Sequence, residues 1–480
     1  MRRSFISSSL ALLLLVPVLL PGATTAAAPS CEAGGDAPAS WAVAPLLAPG
    51  VECHGAVDPA GGDALDTFLI PVAPGEHARV RLVPAAGQAT RLCAAAAGGL
   101  EGPTCAQRPA GLPQSVTFTA ANGALWHVTV AGLAGAGAYA LALDIHSADG
   151  WSYVGRPEYA KMGAVLAVRD TLHFVGGDAS GVYTGDGRNS IPTDLVLPLT
   201  PWGVGAPQVG APLPAGRVPR GIQLDADHVL IAGGPAKDES CNGRRAYVGR
   251  AASDGSIAEW SRAPDLPNVG DGLPIFAARP RGTTVDVYYE EGGALGCSGY
   301  PSNRIWRATY SAGALGGWTL AAHQPAPTKG GAAMVVVGDW LYFLGGGACC
   351  PGGPLAHVHR APIAADGSLG AWIVDAPLPK PAVHANALVF DGGILVLGAH
   401  GPDNTRNPEV WWSPLRADGS LDGWRTIGRV PPFLMSDGVA FEAAGRVFAG
   451  DFDREPTAAS SVGVASAPSA LLRAWIAASL

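Results

Sequence analysis

The sequence has few charged residues and no basic segment. Asp, Glu, Lys and Arg together make up 15% of the 480 residues, and the formal net charge is −8. Proteins that bind nucleic acids through their phosphates need a clustered positive surface. Nucleic-acid binding is therefore not expected.

Short motifs of the common enzyme classes are also missing. The chain has no GxSxG elbow, no HExxH helix and no phosphate-binding glycine loop. Their absence excludes the usual serine hydrolases, zinc proteases and nucleotide-binding enzymes, although not every enzyme. No histidine stands at ligand spacing beside the cysteines, so we expect neither a metal site nor a cofactor.

The chain has one long hydrophobic run, at residues 10–20, and none later that is long enough to span a membrane. Two arginines precede this run and small residues follow it, which is the pattern of a secretory signal. A transmembrane anchor is not expected, because the run is short, contains Pro17 and ends at Pro21-Gly22. We predict that residues 1–28 are a signal peptide, cleaved near Ala26–Ala28, and that the protein is secreted or held at the cell surface.

A pair of small residues and a tryptophan recur at a nearly constant separation through the last two thirds of the chain. The tryptophan follows the first member of each pair after 26 or 27 residues. From one tryptophan to the next the period is 51 to 58 residues, which is typical of a four-stranded propeller blade. The pairs are Gly176-Gly177, Gly233-Gly234, Gly292-Gly293, Gly345-Gly346, Gly398-Ala399 and Ala449-Gly450, followed by Trp202, Trp260, Trp318, Trp372, Trp424 and Trp475.

Each repeat has the order of elements that a blade requires. In the repeat beginning at Lys329, two apolar runs predict an inner and a second strand, and LAHVHRAPI predicts a third. Asp366-Gly367 then supplies the positive φ of a tight turn before a fourth strand with Trp372. We interpret the glycines as structural and the tryptophans as residues that pack between adjacent blades.

The paired glycine and the later tryptophan resemble kelch-type repeats of galactose-oxidase-like propellers, across residues 151–480. The resemblance implies an all-β, six-bladed kelch-like β-propeller. It does not carry over the copper chemistry of the oxidases, because no matching tyrosine, cysteine and histidine set can be assigned.

Two segments compete to complete the ring of blades. Trp151 lies 25 residues before Gly176 and so matches an outer strand without a repeat of its own. The terminal segment around Trp475 is the alternative. We favour a ring closed within one sequential blade, which means by the segment around Trp475.

Residues 31–146 precede the repeats and predict a small all-β sandwich, because β-rich runs alternate there with glycine-rich turns. The segment DTFLIPV, with Pro74-Gly75, and the later LWHVTV and AYALAL are similar to bacterial pre-peptidase C-terminal domains. That resemblance implies a jelly-roll accessory module that binds substrates or surfaces.

Eight cysteines in an exported chain predict disulfide bonds. From their proximity in sequence, we expect Cys31 to pair with Cys53 and Cys93 with Cys105. The other four follow the small-residue pairs of three consecutive repeats, which favours bridges between neighbouring loops. Three pairings remain open, including a vicinal bond: the four are Cys241, Cys297, Cys349 and Cys350.

The strand order places the loops after the small-residue pairs on one face of the propeller, which we call the glycine-pair face. Polar residues gather there, either as a solvated rim or as a ligand site. A mixture of acidic and basic residues suits a polar ligand such as a sugar or a peptide segment. The candidate ligand-binding residues are Asp178, Arg220, Glu291, Lys329, His384, His400 and Asp451.

Two functions fit these observations. The first is a secreted, non-enzymatic binding or scaffold protein whose propeller loops bind an extracellular glycan or protein. The second is a secreted carbohydrate-active propeller enzyme, a hydrolase, lyase or oxidase, with catalytic groups scattered over several blades. We favour the first and assign no catalytic residue.

Overall fold

The fold was analysed in a computed structural model of the 480-residue chain. The described residues are 47, 52–72, 77–96, 103–119, 124–146, 151–153, 163–177, 190–200, 203–204, 208–217, 219–234, 243–267, 275–291, 304–325, 331–348, 353–402, 405–430, 440–443, 445–450 and 464–479. Among these residues, no helix has the length and apolar character needed to cross a membrane.

The N-terminal strands form two four-stranded antiparallel sheets. One sheet has the order β1-β8-β3-β6 and the other β2-β7-β4-β5, which is the strand order of a jelly roll. The strands are β1 (Glu52–Val57), β2 (Leu65–Val72), β3 (His77–Pro84), β4 (Ala89–Ala96), β5 (Thr104–Gln107), β6 (Gln114–Thr119), β7 (Ala124–Ala134) and β8 (Gly137–His146). The predicted β-sandwich is confirmed.

The sandwich core follows from strict alternation along its strands. In β3 every second residue is buried, and the buried set packs against the apolar face of the other sheet, including Phe68 and Trp126. Cys93 and Cys105 lie opposite each other on β4 and β5 and form a disulfide bond, as predicted. Cys31 and the side chain of Cys53 lie outside the described residues.

The repeats form six antiparallel sheets in the described part of the chain, each with the strand order of a propeller blade. After the short strand β9 (Ser152–Tyr153), blade one has β10 (Ala164–Val168), β11 (Thr171–Val175), β12 (Asp194–Thr200), β13 (Gly203–Val204) and β14 (Gln208–Val209). Blade two has β15 (Arg220–Gln223), β16 (His228–Ala232), β17 (Ala246–Ala251) and β18 (Ile257–Ala263). Blade three has β19 (Ile275–Arg281), β20 (Thr284–Glu290), β21 (Arg304–Ser311), β22 (Ala314–Leu315) and β23 (Thr319–His323).

The remaining three blades follow in chain order. Blade four has β24 (Ala332–Val337), β25 (Trp340–Gly345), the small loop hairpin β26 (Gly347–Ala348) and β27 (Gly353–Pro354), then β28 (Val358–Pro362) and β29 (Ile373–Val374). Blade five has β30 (Asn386–Phe390), β31 (Gly393–His400), β32 (Arg406–Pro414) and β33 (Arg425–Arg429). Blade six begins with β34 (Ala440–Ala443), β35 (Arg446–Gly450) and β36 (Val464–Pro468).

The inner strands lie side by side in the order β10, β15, β19, β24, β30 and β34, so the blades are arranged around a common centre. The second strand of each blade is apolar on both faces, because a neighbouring blade covers each face. In β11 and β31 all residues are buried. The blade-to-blade interfaces are therefore the hydrophobic cores of the propeller.

The outer strand of blade six comes from the segment before blade one. Ser152 and Tyr153 pair with Ser466 and Ala465 of β36, and the same short strand touches β8 of the sandwich at one residue pair. Our expectation that the ring closes within one sequential blade was wrong. The N-terminal strand supplies the missing edge and holds the two ends of the propeller together.

The tryptophans confirm this assignment. In blades two to five the indole Nε1 donates to a carbonyl oxygen of the preceding blade, at 2.7 to 3.2 Å. Trp151 makes the equivalent bond, 3.0 Å long, to Arg429 of blade five. Trp151 is therefore the tryptophan of blade six, while Trp202 lies outside the described residues.

Trp475 lies on the helix α1 (Ser469–Ser479) and not on a strand, which corrects the sequence prediction. The helix buries Leu472 and Ile476, one turn apart, and its tryptophan packs over Gly428 of blade five. Its spacing from Ala449-Gly450 imitated the repeat. The alanine- and leucine-rich composition after Pro468 favours a helix instead.

The paired glycines are needed because the link to the next blade crosses directly above them. Gly345 has φ of 60°, and a Cβ there would lie 2.4 Å from the carbonyl oxygen of Ala382. A Cβ on Gly176 would lie 2.5 Å from the carbonyl oxygen of Arg217 in the same way. Only glycine allows both the positive φ and the close approach.

Candidate functional site

Four of the seven predicted ligand-binding residues are described, and all four lie at the glycine-pair end of their blades. Arg220 is the first residue of β15, Glu291 follows β20, and His400 ends β31. His384 lies in the link that leads into β30. Asp178, Lys329 and Asp451 lie outside the described residues, as do Cys241, Cys297, Cys349 and Cys350.

Blade three departs from its neighbours where the second strand ends. In blades one, two and four the residue after the last apolar position of that strand is a glycine, and its amide donates to the carbonyl before the third strand. In blade three the same bond is made by the amide of Glu291, to the carbonyl oxygen of Arg304. Glu291 therefore occupies the position of the first glycine. The predicted pair Gly292-Gly293 comes one residue later, outside the described residues.

The residue before Glu291 is also exceptional. Glu290 pairs with the first residue of the third strand, as aliphatic residues do in four other blades. Those residues are Val175, Ala232, Leu344 and Leu397. Blade three thus has two consecutive carboxylates, both fully buried, where the other four blades have an aliphatic residue followed by glycine.

The surroundings of the two carboxylates differ. Glu290 accepts a hydrogen bond of 2.6 Å from the amide of Gln324, which is also buried. Both oxygens of Glu291 have no hydrogen-bond donor, and its nearest cation is Arg304, with 3.9 Å between Nη1 and Oε1. Burial raises the pKa of Tyr289 well above its ordinary value, and the nearby carboxylates of Glu291 and Glu290 raise that pKa further.

Blade two contributes two buried arginines at the same end. Arg220 is 7% exposed and stands opposite Ala232 on the neighbouring strand. Arg217 is fully buried, and its guanidinium donates to the carbonyl of Arg245 at 3.0 Å. That guanidinium also lies 5.2 Å from the centre of the Tyr247 ring. Arg217 therefore joins the incoming link to blade two and has a structural role.

The two predicted histidines of blade five lie close together. Their ring centres are 6.1 Å apart and the rings are nearly perpendicular. A backbone bridge between Val383 and His400 holds them there, and the amide of His384 donates to the carbonyl of Gly331, which precedes the inner strand of blade four. His384 has φ of 59°, so the link enters the blade through a sharp turn.

Sequence reasoning overlooked Arg217, Arg304 and Gln324. All three stand in links or strands without a motif, and only the strand register brings them to this end of the blades. Within the described ranges, no group of three or more His, Cys, Asp or Glu side chains is placed to hold a metal ion.

Comparison with known proteins adds little beyond architecture. No family model matches the chain, and no curated protein matches it. Among solved structures, the chain is similar to the structure of YjhT, a β-propeller. The identity is 15% and the TM-score 0.45, over 65% of this chain and 95% of that one.

Proposed function

We propose that this chain is an exported, non-enzymatic binding protein that holds a saccharide on the glycine-pair face of its propeller. One observation carries the proposal: Arg220, Glu291 and His400, from three different blades, are buried at that face. Burying ionisable groups costs free energy. Because other blades do without them at matching positions, a bound polar ligand gives a reason for their presence.

A saccharide fits this site better than a protein surface does. The three side chains are at most 7% exposed, so a flat partner would not reach them. Single hydroxyl groups are small enough to do so, and they both donate and accept hydrogen bonds. A set that combines a guanidinium, a carboxylate and an imidazole suits such groups.

Export and family are part of the same proposal. The Cys93–Cys105 bond supports an oxidising compartment, and residues 1–28 have the pattern of a signal peptide. We also propose that the propeller is of the kelch type and that the sandwich is an accessory binding module of the pre-peptidase C-terminal type.

A carbohydrate-active enzyme is the second candidate, and the paired carboxylates of Glu290 and Glu291 favour it. Glycoside hydrolases use two carboxyl groups that flank one bond. Neighbouring residues of a strand, however, point to opposite faces of the sheet. Glu290 is turned toward Gln324 and Glu291 toward Arg304, an arrangement that favours binding.

A binding screen tests the proposal. The mature protein would be applied to immobilised polysaccharides and glycans while the reducing ends released into solution are measured. We expect at least one saccharide to be retained, and Arg220→Gln to weaken its retention, without release of products. Turnover would support the enzyme instead, and failure to bind any saccharide would contradict both.

A further inference from the structure

The carboxylate of Glu291 is the polar group that the fold explains least. It is completely buried, it takes the place of a glycine, and neither oxygen has a hydrogen-bond donor. Unlike Gly176, Gly233 and Gly345, it does not adopt a positive φ. The backbone of blade three is therefore arranged differently at this position and leaves room for a side chain.

A structural role for Glu291 is contradicted by its energetics. A buried carboxylate can accept about four hydrogen bonds, and leaving it without donors costs more than leaving a neutral group unpaired. A glycine at this position serves the other blades without that cost. The side chain destabilises the empty propeller, so its benefit must come from a bound state.

Charge and hydrogen bonding can be separated at this site. Arg304 lies 3.9 Å from Oε1, close enough to offset the negative charge and too far to donate a hydrogen bond. What the carboxylate lacks is donors. A cationic ligand would meet the arginine, and an anionic ligand would meet the carboxylate.

We infer that Glu291 accepts hydrogen bonds from two neighbouring hydroxyl groups of a neutral sugar. This inference rests on the proposed function and specifies its ligand class. Two adjacent hydroxyls can donate to the two oxygens of one carboxylate, as the forked donors of arginine do. Alternation along the strand turns Glu291 toward blade two, on the side of Tyr289, whose ring lies in the core between blades two and three.

The test compares Glu291→Gln with the matched control Glu259→Gln. Glu259 lies on the outer strand of blade two, is exposed and pairs with Arg250. The full-length variants would be titrated with neutral hexasaccharides of glucose, mannose and xylose, and with hexamers of glucosamine and galacturonic acid. We expect the wild type and the control to bind a neutral hexamer most tightly, and Glu291→Gln to bind it about ten- to a hundredfold more weakly.

Thermal unfolding keeps the result interpretable. Because the amide removes a buried charge, we expect Glu291→Gln to melt at or above the temperature of the wild type. Lower affinity with undiminished stability supports the inference. Unchanged affinity for the neutral hexamer overturns it while saccharide binding stands, and so does preference for a charged hexamer. Absence of all saccharide binding overturns the proposed function as well.

Discussion

At the scale of single residues, the glycine-pair positions show how a local rule and its exception arise. Gly345 meets two demands at once, a positive φ and a carbonyl oxygen directly above its Cα. Gly392 meets only the first, since no atom lies within 4 Å of the point where a Cβ would stand. The two positions separate backbone strain from steric contact.

Replacing Gly345 with alanine should destabilise the protein through both effects. We expect Gly345→Ala to lower the free energy of unfolding by at least about 1 kcal/mol more than Gly392→Ala, because the added methyl group must displace the link at Ala382. Urea unfolding of both variants measures the difference. Equal losses would show that the link yields freely.

The half-buried histidine pair of blade four predicts a loss of stability in acid. Burial lowers the pKa of His357 and of His359, and the neighbouring His357 lowers the pKa of His359 further. The unfolded chain, with histidine pKa near 6.5, therefore takes up protons that the folded chain refuses. Stability is full above that pH and falls as the pH drops below it.

Urea unfolding at pH 7.5 and pH 5.0 checks this expectation. The wild type should lose more stability between the two values than the double variant His357→Gln with His359→Gln, since other titrating groups are common to both. Identical losses would mean that the two rings take no part in the acid response.

At the scale of elements, the Asp-Gly-Ser turns connect neighbouring blades. In each turn the aspartate accepts bonds from the amide and hydroxyl of the serine two residues later, as Asp366 does from Ser368 at 2.9 and 2.7 Å. The glycine carbonyl then accepts from a buried side chain of the preceding blade. Tyr288 donates to Gly367 at 2.7 Å, and Tyr342 donates to Gly419.

Removing one of these hydroxyl groups should loosen a single interface. We expect Tyr288→Phe to cost about 1 to 2 kcal/mol, because the carbonyl of Gly367 is left buried without its donor. Tyr247→Phe is the control, since that ring packs beneath Arg217 through its face. Thermal unfolding compares the two, and a neutral Tyr288→Phe would show that the turn finds another donor.

The turns were predictable and their partners were not. Asp-Gly in a repeat signals a tight turn from local backbone chemistry. The tyrosine that the turn contacts is about 80 residues away in sequence, as Tyr288 is from Gly367. The same limit applies to the indole bonds, where the tryptophan was predicted to pack between blades and its carbonyl partner was not.

At the scale of the whole molecule, closure of the ring depends on two residue pairs. Ser152 and Tyr153 are the outer edge of blade six and also follow directly from the sandwich. The sandwich and the propeller are consequently joined by a strand that belongs to both. Damage to this strand should affect the ring more than equal damage elsewhere.

Proline substitution tests that coupling. Proline removes an amide donor and is poorly tolerated in a paired strand. We expect Tyr153→Pro to lower the stability of the propeller by at least about 1 kcal/mol more than Ile373→Pro, which affects the outer strand of blade four alone. Urea unfolding followed by tryptophan fluorescence gives both values. Equal effects would argue against closure by the N-terminal strand.

The sequence by itself determined the local features of this protein: the blade repeat, the alternating strands of the sandwich, the turn chemistry and the Cys93–Cys105 pair. These follow from spacing and from the backbone preferences of nearby residues. Only the tertiary structure decided that Ser152 pairs with Ser466, that Trp475 is helical, and that Glu291 stands in a glycine's place. Strand register and ring closure join residues far apart in the chain, and a shift of one residue changes which side chain is buried.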